Sequence, residues 1–155
     1  MTTVTTVTSA KAILEADTTP VTGLVALATG GIYDFNETGR LGINRSNPAT
    51  SAAFVNGIIQ PCVMLKLRTS VPWGDIADPA TKTVSLREMF EAQFYGDNNY
   101  TAIEAMRARV FYLLHEVQLS GTFICRWAQD VYAPRDVEMD SFVVRSDYAV
   151  ILKRN

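Results

Sequence analysis

Alternating apolar and polar positions predict four long β-strands in the second two thirds of the chain. The segments 58–70, 84–95, 122–129 and 139–153 each place apolar side chains at every second position. In the last segment the inward set is Phe142, Val144, Tyr148, Val150 and Leu152. Alternation of this kind is typical of an antiparallel sheet with one covered face.

Helical spacing marks two other segments. Residues 9–17 carry Ala10, Ile13 and Leu14 on one face, and Pro20 lies shortly after the predicted end. The main helix begins after an N-cap at Asn98 or Asn99, and its apolar stripe is Ile103, Met106, Val110, Leu113, Leu114 and Val117. The order of elements predicts one α+β domain over residues 1–155, with an antiparallel sheet of about four strands and helices packed on one face.

Two segments without periodicity are candidate interaction sites. Residues 36–57 are rich in Asn, Gly, Ser, Thr and Ala, and a loop of this length is usually functional or disordered. We expect Arg40 and Arg45 to meet carboxylates of a neighbouring subunit or partner and Phe54 to fill a pocket there; the alternative is a solvated loop.

The second candidate segment is the predicted loop 71–83, with Trp73 and Asp75 as its interface residues. Tryptophan is enriched in interfaces. The alternative is that Trp73 folds back on the core of its own domain.

Composition narrows the class of protein. The 155 residues are 48% hydrophobic and 19% charged, which excludes a disordered, collagen-like or coiled-coil chain. No apolar run reaches the length of a membrane span, and the N-terminus lacks the pattern of a signal peptide, so we expect synthesis in the cytoplasm and no membrane partner. The net charge of −2 shows no basic footprint for duplex nucleic acid.

Catalytic chemistry has little support in the sequence. Cys62 and Cys125 lie in apolar runs without metal-ligand spacing, which predicts buried structural thiols. His115, the single histidine, cannot supply a metal triad, and no glycine-rich phosphate loop occurs. Paired carboxylates in predicted loops have nothing to desolvate them. We therefore expect no enzyme, no catalytic residues, no metal and no cofactor.

The second half of the chain has a recognisable layout. A strand ending in FEAQFYGDNN leads into the helix YTAIEAMRARVFYLLHEV, then LSGTFICRW, a turn, and the closing strand DVEMDSFVVRSDYAVILK. The first half adds AKAILEAD, VTGLVALATGGIYD and QPCVMLKLRTS in the same plan. From about Ala10 to Leu152 this pattern resembles the tail-terminator (tail-completion) proteins of long-tailed bacteriophages, although segment 36–57 is longer than such proteins often have.

The resemblance implies a structural virion protein made in the host cytoplasm and located at the head–tail junction. Such proteins form a ring, typically of six copies, that stops tail-tube polymerisation and joins the tail to the head connector. The implied partners are further copies of the chain, the tail-tube protein and the connector or stopper protein. Genome DNA passes through the ring without sequence-specific binding, and a slightly acidic chain suits such a conduit.

Two other functions remain open on the sequence. One is a different neck or connector component, such as a stopper or adaptor. The other is a cytosolic α+β domain that binds a small molecule. Oligomeric state separates the ring from the binding domain, whereas the sequence does not separate a terminator from a stopper.

Overall fold

The computed structural model of the chain describes residues 3–78, 83–97, 99–120, 122 and 124–154. The helices are α1 (Thr3–Glu15), α2 (Leu24–Leu27), α3 (Phe35–Thr38) and α4 (Tyr100–Leu114), with short 3-10 helices at Gly39–Leu41 and Pro48–Ala53. The strands are β1 (Ile32–Asp34), β2 (Phe54–Val55), β3 (Ile58–Ile59), β4 (Cys62–Asp78), β5 (Thr83–Tyr95), β6 (Val117–Gln118), β7 (Ile124–Asp136) and β8 (Ser141–Arg154).

Six of these strands form one sheet in the order β1-β4-β5-β8-β7-β6, and β2 and β3 form a separate two-stranded ribbon. β1 runs parallel to β4, whereas every other pair in the sheet is antiparallel. The prediction of an α+β domain with an antiparallel sheet of about four strands is therefore wrong: the architecture is mixed α/β around one curled six-stranded sheet. The sequence indicates a short strand or extended segment at residues 32–35, where β1 lies, but it misses β6, because two residues are too few to show alternation.

Two predicted breaks are also strand. Residues 71–78 belong to β4, and residues 132–136 belong to β7. Both segments contain a proline, Pro72 or Pro134, which argues against a central strand. β4 and β7 lie near the margins of the sheet, where a strand has N–H groups on one side that no neighbouring strand needs, so prolines are compatible with these outer strands.

The helices cover one face of the sheet, called here the helix-covered face. Its buried side chains come from α1 (Val7, Ala10, Leu14), α4 (Ile103, Met106, Val110, Leu114) and the strands (Val63, Leu65, Leu86, Phe90, Phe94, Val144, Tyr148, Val150). Most of the inward residues predicted for the main helix and the last strand are thus confirmed; Leu113 and Phe142, together with Leu67 of β4, are partly buried against this core. The side chain of Leu152 lies outside the described residues. Phe90 and Tyr148 stack with ring centroids 5.5 Å apart, directly opposite each other on β5 and β8.

The helix α4 begins as the sequence predicts. The side-chain oxygen of Asn99 accepts a hydrogen bond from the N–H of Ala102 at 3.1 Å, which satisfies one of the free donors of the first turn. The alternative cap, Asn98, lies outside the described residues. α4 ends at Leu114, and His115 is its C-cap, so the predicted member Val117 belongs to β6 instead.

One carboxylate joins three helical elements. Asp17, just after α1, accepts two hydrogen bonds from Arg109 of α4, Nε to Oδ2 at 2.7 Å and Nη2 to Oδ1 at 2.8 Å. Its Oδ2 also accepts the N–H of Leu24 at the start of α2, at 2.7 Å. The Arg109 bonds, together with the Leu24 and Thr19 donors, hold the pKa of Asp17 well below its usual value, against the effect of burial.

Truncation of the helix face tests the packing of α4. Met106 is fully buried, so Met106→Ala removes its contacts with the sheet and leaves a cavity. We expect it to lower the free energy of unfolding by about 2–5 kcal/mol, measured by urea denaturation. Thr101→Ala, at an exposed position of the same helix, is the control and should change stability by less than about 0.5 kcal/mol. Equal effects from the two variants would contradict this packing.

The Asp17 contacts predict a pH dependence of stability. Because the pKa of Asp17 is lowered in the folded protein, the stabilisation is complete above the ordinary value of 3.8 and is lost as the pH falls below it. Asp17→Asn should therefore be less stable than the parent from pH 5 to pH 8, and the difference should shrink below pH 4. When Arg109→Gln is already present, the stability difference caused by Asp17→Asn should vary less with pH. If the stability difference between the parent and Asp17→Asn is unchanged at pH 2, the pKa of Asp17 is not lowered in the folded protein.

Candidate assembly surfaces

Segment 36–57 covers one end of the second face of the sheet, called here the open face. Ile43 and Ala53 from this segment are buried against side chains of β4 and β5. The resulting small core contains Tyr33, Ile43, Ala53, Ile59, Cys62, Met64, Tyr95 and Met139. The segment is therefore folded onto its own domain through α3, the 3-10 helices and β2.

Two of the predicted interface residues make contacts within the chain. Arg45 donates to the carbonyl oxygens of Gly57 at 2.8 Å and Glu138 at 2.7 Å, and its guanidinium lies 5.3 Å from the ring centre of Phe54. Phe54 is half-buried against the second core, while Arg40 is exposed. The interface role of these residues stays a prediction; within the monomer Arg45 fastens segment 36–57 to the turn before β8.

The other two predicted interface residues, Trp73 and Asp75, lie in the outer part of β4 rather than in a loop. The ladder between β4 and β5 is irregular there, with a register shift between Pro72 and Ala77. The side chains of Trp73 and Asp75 lie outside the described residues, so their interface role also stays a prediction.

A network of charges crosses the middle of the open face. Asp147 on β8 is fully buried; its Oδ2 lies 2.9 Å from Nη1 of Arg68 on β4, and its Oδ1 lies 3.1 Å from Nε of Arg145. The same two guanidinium groups lie 3.5 Å and 3.3 Å from Oε2 of Glu91 on β5. Two arginines thus neutralise two carboxylates that the sheet takes out of water.

Neutral polar groups extend this network across the sheet. Gln129 on β7 donates to Oδ2 of Asp147 at 2.7 Å, and Gln93 donates to Oε1 of Glu91 at 2.8 Å. The hydroxyl of Tyr95 donates in turn to Gln93 at 3.1 Å. The network joins β4, β5, β8 and β7. These positions alternate with the apolar ones along the strands, so the alternation predicts that the charged side chains lie on the other face of the sheet. It does not predict that the acids are buried there.

Beyond the network, the open face forms a hollow of about 840 Å³. Its lining is apolar with two arginines: Arg87, Gln118, Ile124, Arg126, Trp127, Ala128, Ala149 and Ile151. No cluster of His, Cys, Asp or Glu that could hold a metal ion occurs among the described residues. The hollow can therefore accept an apolar or anionic group, and the described side chains give it no nucleophile.

Aromatic side chains are exposed where α4 meets the outer strand β7. Trp127 is 39% exposed and Tyr132 is 58% exposed. Phe111 packs edge-on against Trp127 with 6.1 Å between centroids, and Tyr132 donates to Glu104 at 2.9 Å. We call Phe111, Trp127 and Tyr132 the aromatic patch. Exposed aromatic side chains whose orientation is fixed by neighbouring contacts are typical of protein–protein interfaces.

A second exposed apolar surface lies between α2 and α4. A shallow groove there is lined by Val21, Leu27, Ala105, Ala108 and Tyr112, among others. Val21 is 82% exposed and has a φ of 68°, a backbone conformation that β-branched residues rarely adopt. Together with the aromatic patch, this groove gives the helical side of the domain two apolar surfaces.

The cysteines and the histidine have structural surroundings. Cys62 and Cys125 are buried and unpaired, as predicted, and burial raises the pKa of each thiol to about 12. His115 stacks on Phe111, and its Nδ1 accepts the N–H of Trp127 at 3.1 Å. Among the described residues, no helix has the length and apolar character needed to cross a membrane.

Comparison with known proteins finds a similar fold among solved structures. No protein-family model matches the chain, and no curated protein matches it. Among solved structures, the chain is similar to one from the virion of a native gene transfer agent particle, with a TM-score of 0.58. The likeness covers 93% of this chain and 94% of that one at 14% sequence identity, so what the two share is the fold.

Loss of one acid tests the charge network. Asp147→Asn leaves Arg68 and Arg145 with Glu91 as their only acidic partner in the network. Removing one partner of a buried ion pair costs about 3–5 kcal/mol, and the partial exposure of both arginines reduces our expectation to about 2–3 kcal/mol in the free energy of unfolding.

Asp140→Asn is the matched control, because Asp140 pairs with Arg135 on the surface with its own side chain 73% exposed. It should cost less than about 1 kcal/mol. Similar losses for the two variants would mean that the network is not effectively buried.

Proposed function

We propose that this protein is a structural component of a phage-like particle that acts as a tail terminator. In this function it forms a ring at the head–tail junction, stops polymerisation of the tail tube and joins the tail to the connector of the head. The tail-tube protein and the connector or stopper protein are its partners, and genome DNA passes through the ring.

The observation that carries the proposal is the shared fold. The neighbour belongs to the virion of a gene transfer agent, and the likeness runs over nearly the whole of both chains. The order of elements that resembles tail terminators in the sequence is the part that forms β5, α4, β7 and β8, the centre of this fold. Fold alone does not determine function, so the surface has to agree with it.

The surface supports a protein that assembles. The aromatic patch and the groove between α2 and α4 expose large apolar side chains, including Tyr112 at 71%. Exposed apolar surface beyond scattered single residues is typical of interaction sites. In a protein that stayed monomeric, both apolar surfaces would remain exposed to water.

The hollow on the open face favours one alternative, a domain that binds a small molecule. Its volume of about 840 Å³ and its mainly apolar lining lie within the range of ligand sites. The hollow is not enclosed, however, and it lies beside the outer strand β7, where a neighbouring subunit could also fill it. We therefore keep this alternative as one outcome of the test.

Electron microscopy of particles made without this protein tests the function. We expect headless tails of uncontrolled length, because nothing would cap the tube. Tails of normal length that fail to join heads would indicate a stopper or adaptor instead. Normal particles would overturn the proposal and favour the small-molecule binding domain. Light scattering of the purified protein should show a species of about six times the 17.1 kDa chain mass.

A further inference from the structure

The two outer margins of the sheet have open backbone edges. β4 pairs with β1 only through Val63 to Leu65, so its remainder, residues 66–78, forms a ladder with β5 alone. β7 pairs with β6 only at Ile124 and Cys125, so residues 126–136 form a ladder with β8 alone. No other described strand pairs with either stretch. Each leaves backbone N–H and C=O groups available to a further strand.

These two edges are complementary in direction. β4 is antiparallel to β5, β5 to β8 and β8 to β7, so β4 and β7 run in opposite directions. Rotation about an axis along the strands leaves strand directions unchanged. A second copy placed beside the first by such a rotation would therefore bring its β4 antiparallel to β7 of the first copy. The sheet would continue with its helix-covered face on the same side.

We propose that copies of this chain join head to tail, with the open edge of β4 in one copy pairing antiparallel with the open edge of β7 in the next. This inference rests on the proposed function as a ring and adds the contact that builds it. A contact between two different edges is heterologous, and repetition of it closes into a ring when the rotation divides the circle.

Features of each edge restrict where pairing can occur. β4 has a register shift between Leu67 and Thr69 and then Pro72, and β7 has one between Trp127 and Gln129 and then Pro134. Bulges and prolines prevent indiscriminate pairing of an exposed strand. The regular stretches between them, residues 69–71 and 129–133, are the ones left to pair.

The surroundings of β7 favour a protein partner at this edge. The aromatic patch borders the edge on the helix-covered face, and the hollow borders it on the open face. A strand added to β7 would gain contacts on both sides in addition to ladder hydrogen bonds. Large aromatic groups beside a backbone edge supply the anchors that strand pairing by itself lacks.

Cross-linking tests the contact directly. Val71 on β4 lies opposite Arg87, and Val131 on β7 lies opposite Arg145, so both valines belong to the open face and would share one face of a continued sheet. The variants Val71→Cys and Val131→Cys are treated, separately and mixed, with a short flexible bismaleimide. Native Cys62 and Cys125 are buried, so the parent chain controls for them. Glu15→Cys, exposed on α1, controls for random collision.

We expect the mixture to give cross-linked dimers, each single variant alone to remain uncross-linked, and a Val71→Cys/Val131→Cys double variant to give a ladder beyond the dimer. Dimers from Val131→Cys alone would mean that β7 pairs with β7 and would overturn the inference. Light scattering on the same variants separates the two proposals. A ring without the mixed cross-link contradicts the edge contact only, whereas a monomer at every concentration contradicts the ring as well.

Discussion

The two-residue period of a β-strand is the constraint on which this structure depends. Because neighbouring side chains on β5 and β8 point to opposite faces, each strand contributes to two environments at once. Phe90 and Tyr148 face the helices, and the adjacent Glu91 and Asp147 face the other way. α1 and α4 bury the apolar set, and Asp17 holds both helices in place through Arg109. The charged set has to be satisfied within the sheet itself.

The charge network follows from that constraint. Burying Asp147 costs a large desolvation free energy, and only close partners with hydrogen bonds offset it. Arg68, Arg145 and Gln129 come from three different strands and meet at this one carboxylate. Replacement of such a network by apolar groups is often tolerated for stability, so its value lies elsewhere. It fixes the register of four strands, since a slip of one residue would place every one of these charges on the helix-covered face.

The sequence predicts the long periodic elements and misses what depends on distant partners. α4, its Asn99 cap and the inward residues of β5 and β8 follow from local pattern, because each long element carries enough periods to show its face. Asp17 and Arg109 are 92 positions apart, and no sequence pattern around either residue predicts that they pair. The carbonyl acceptors of Arg45 come from its own segment and from the turn before β8, and this contact within the chain has no local signal in the sequence. Ile43 is an apolar residue in the polar segment 36–57, which indicates that the segment docks on a surface, but the sequence does not show that this surface is the second core of its own domain, which Ile43 and Ala53 close.

Proline position carries more information than a loop signal in this chain. The two central strands, β5 and β8, contain no proline, whereas the outer strands β4 and β7 contain one each. A proline within a regular alternation thus separates outer from central strands, because only an outer strand has N–H groups that bond to no neighbour. Pro72 and Pro134, which favour loops at the ends of β4 and β7 in the sequence, therefore identify the margins of the sheet in the structure. Those margins also carry bulges, which disfavour unspecific pairing with other strands. Each edge keeps one short regular stretch that can pair with a strand of complementary shape.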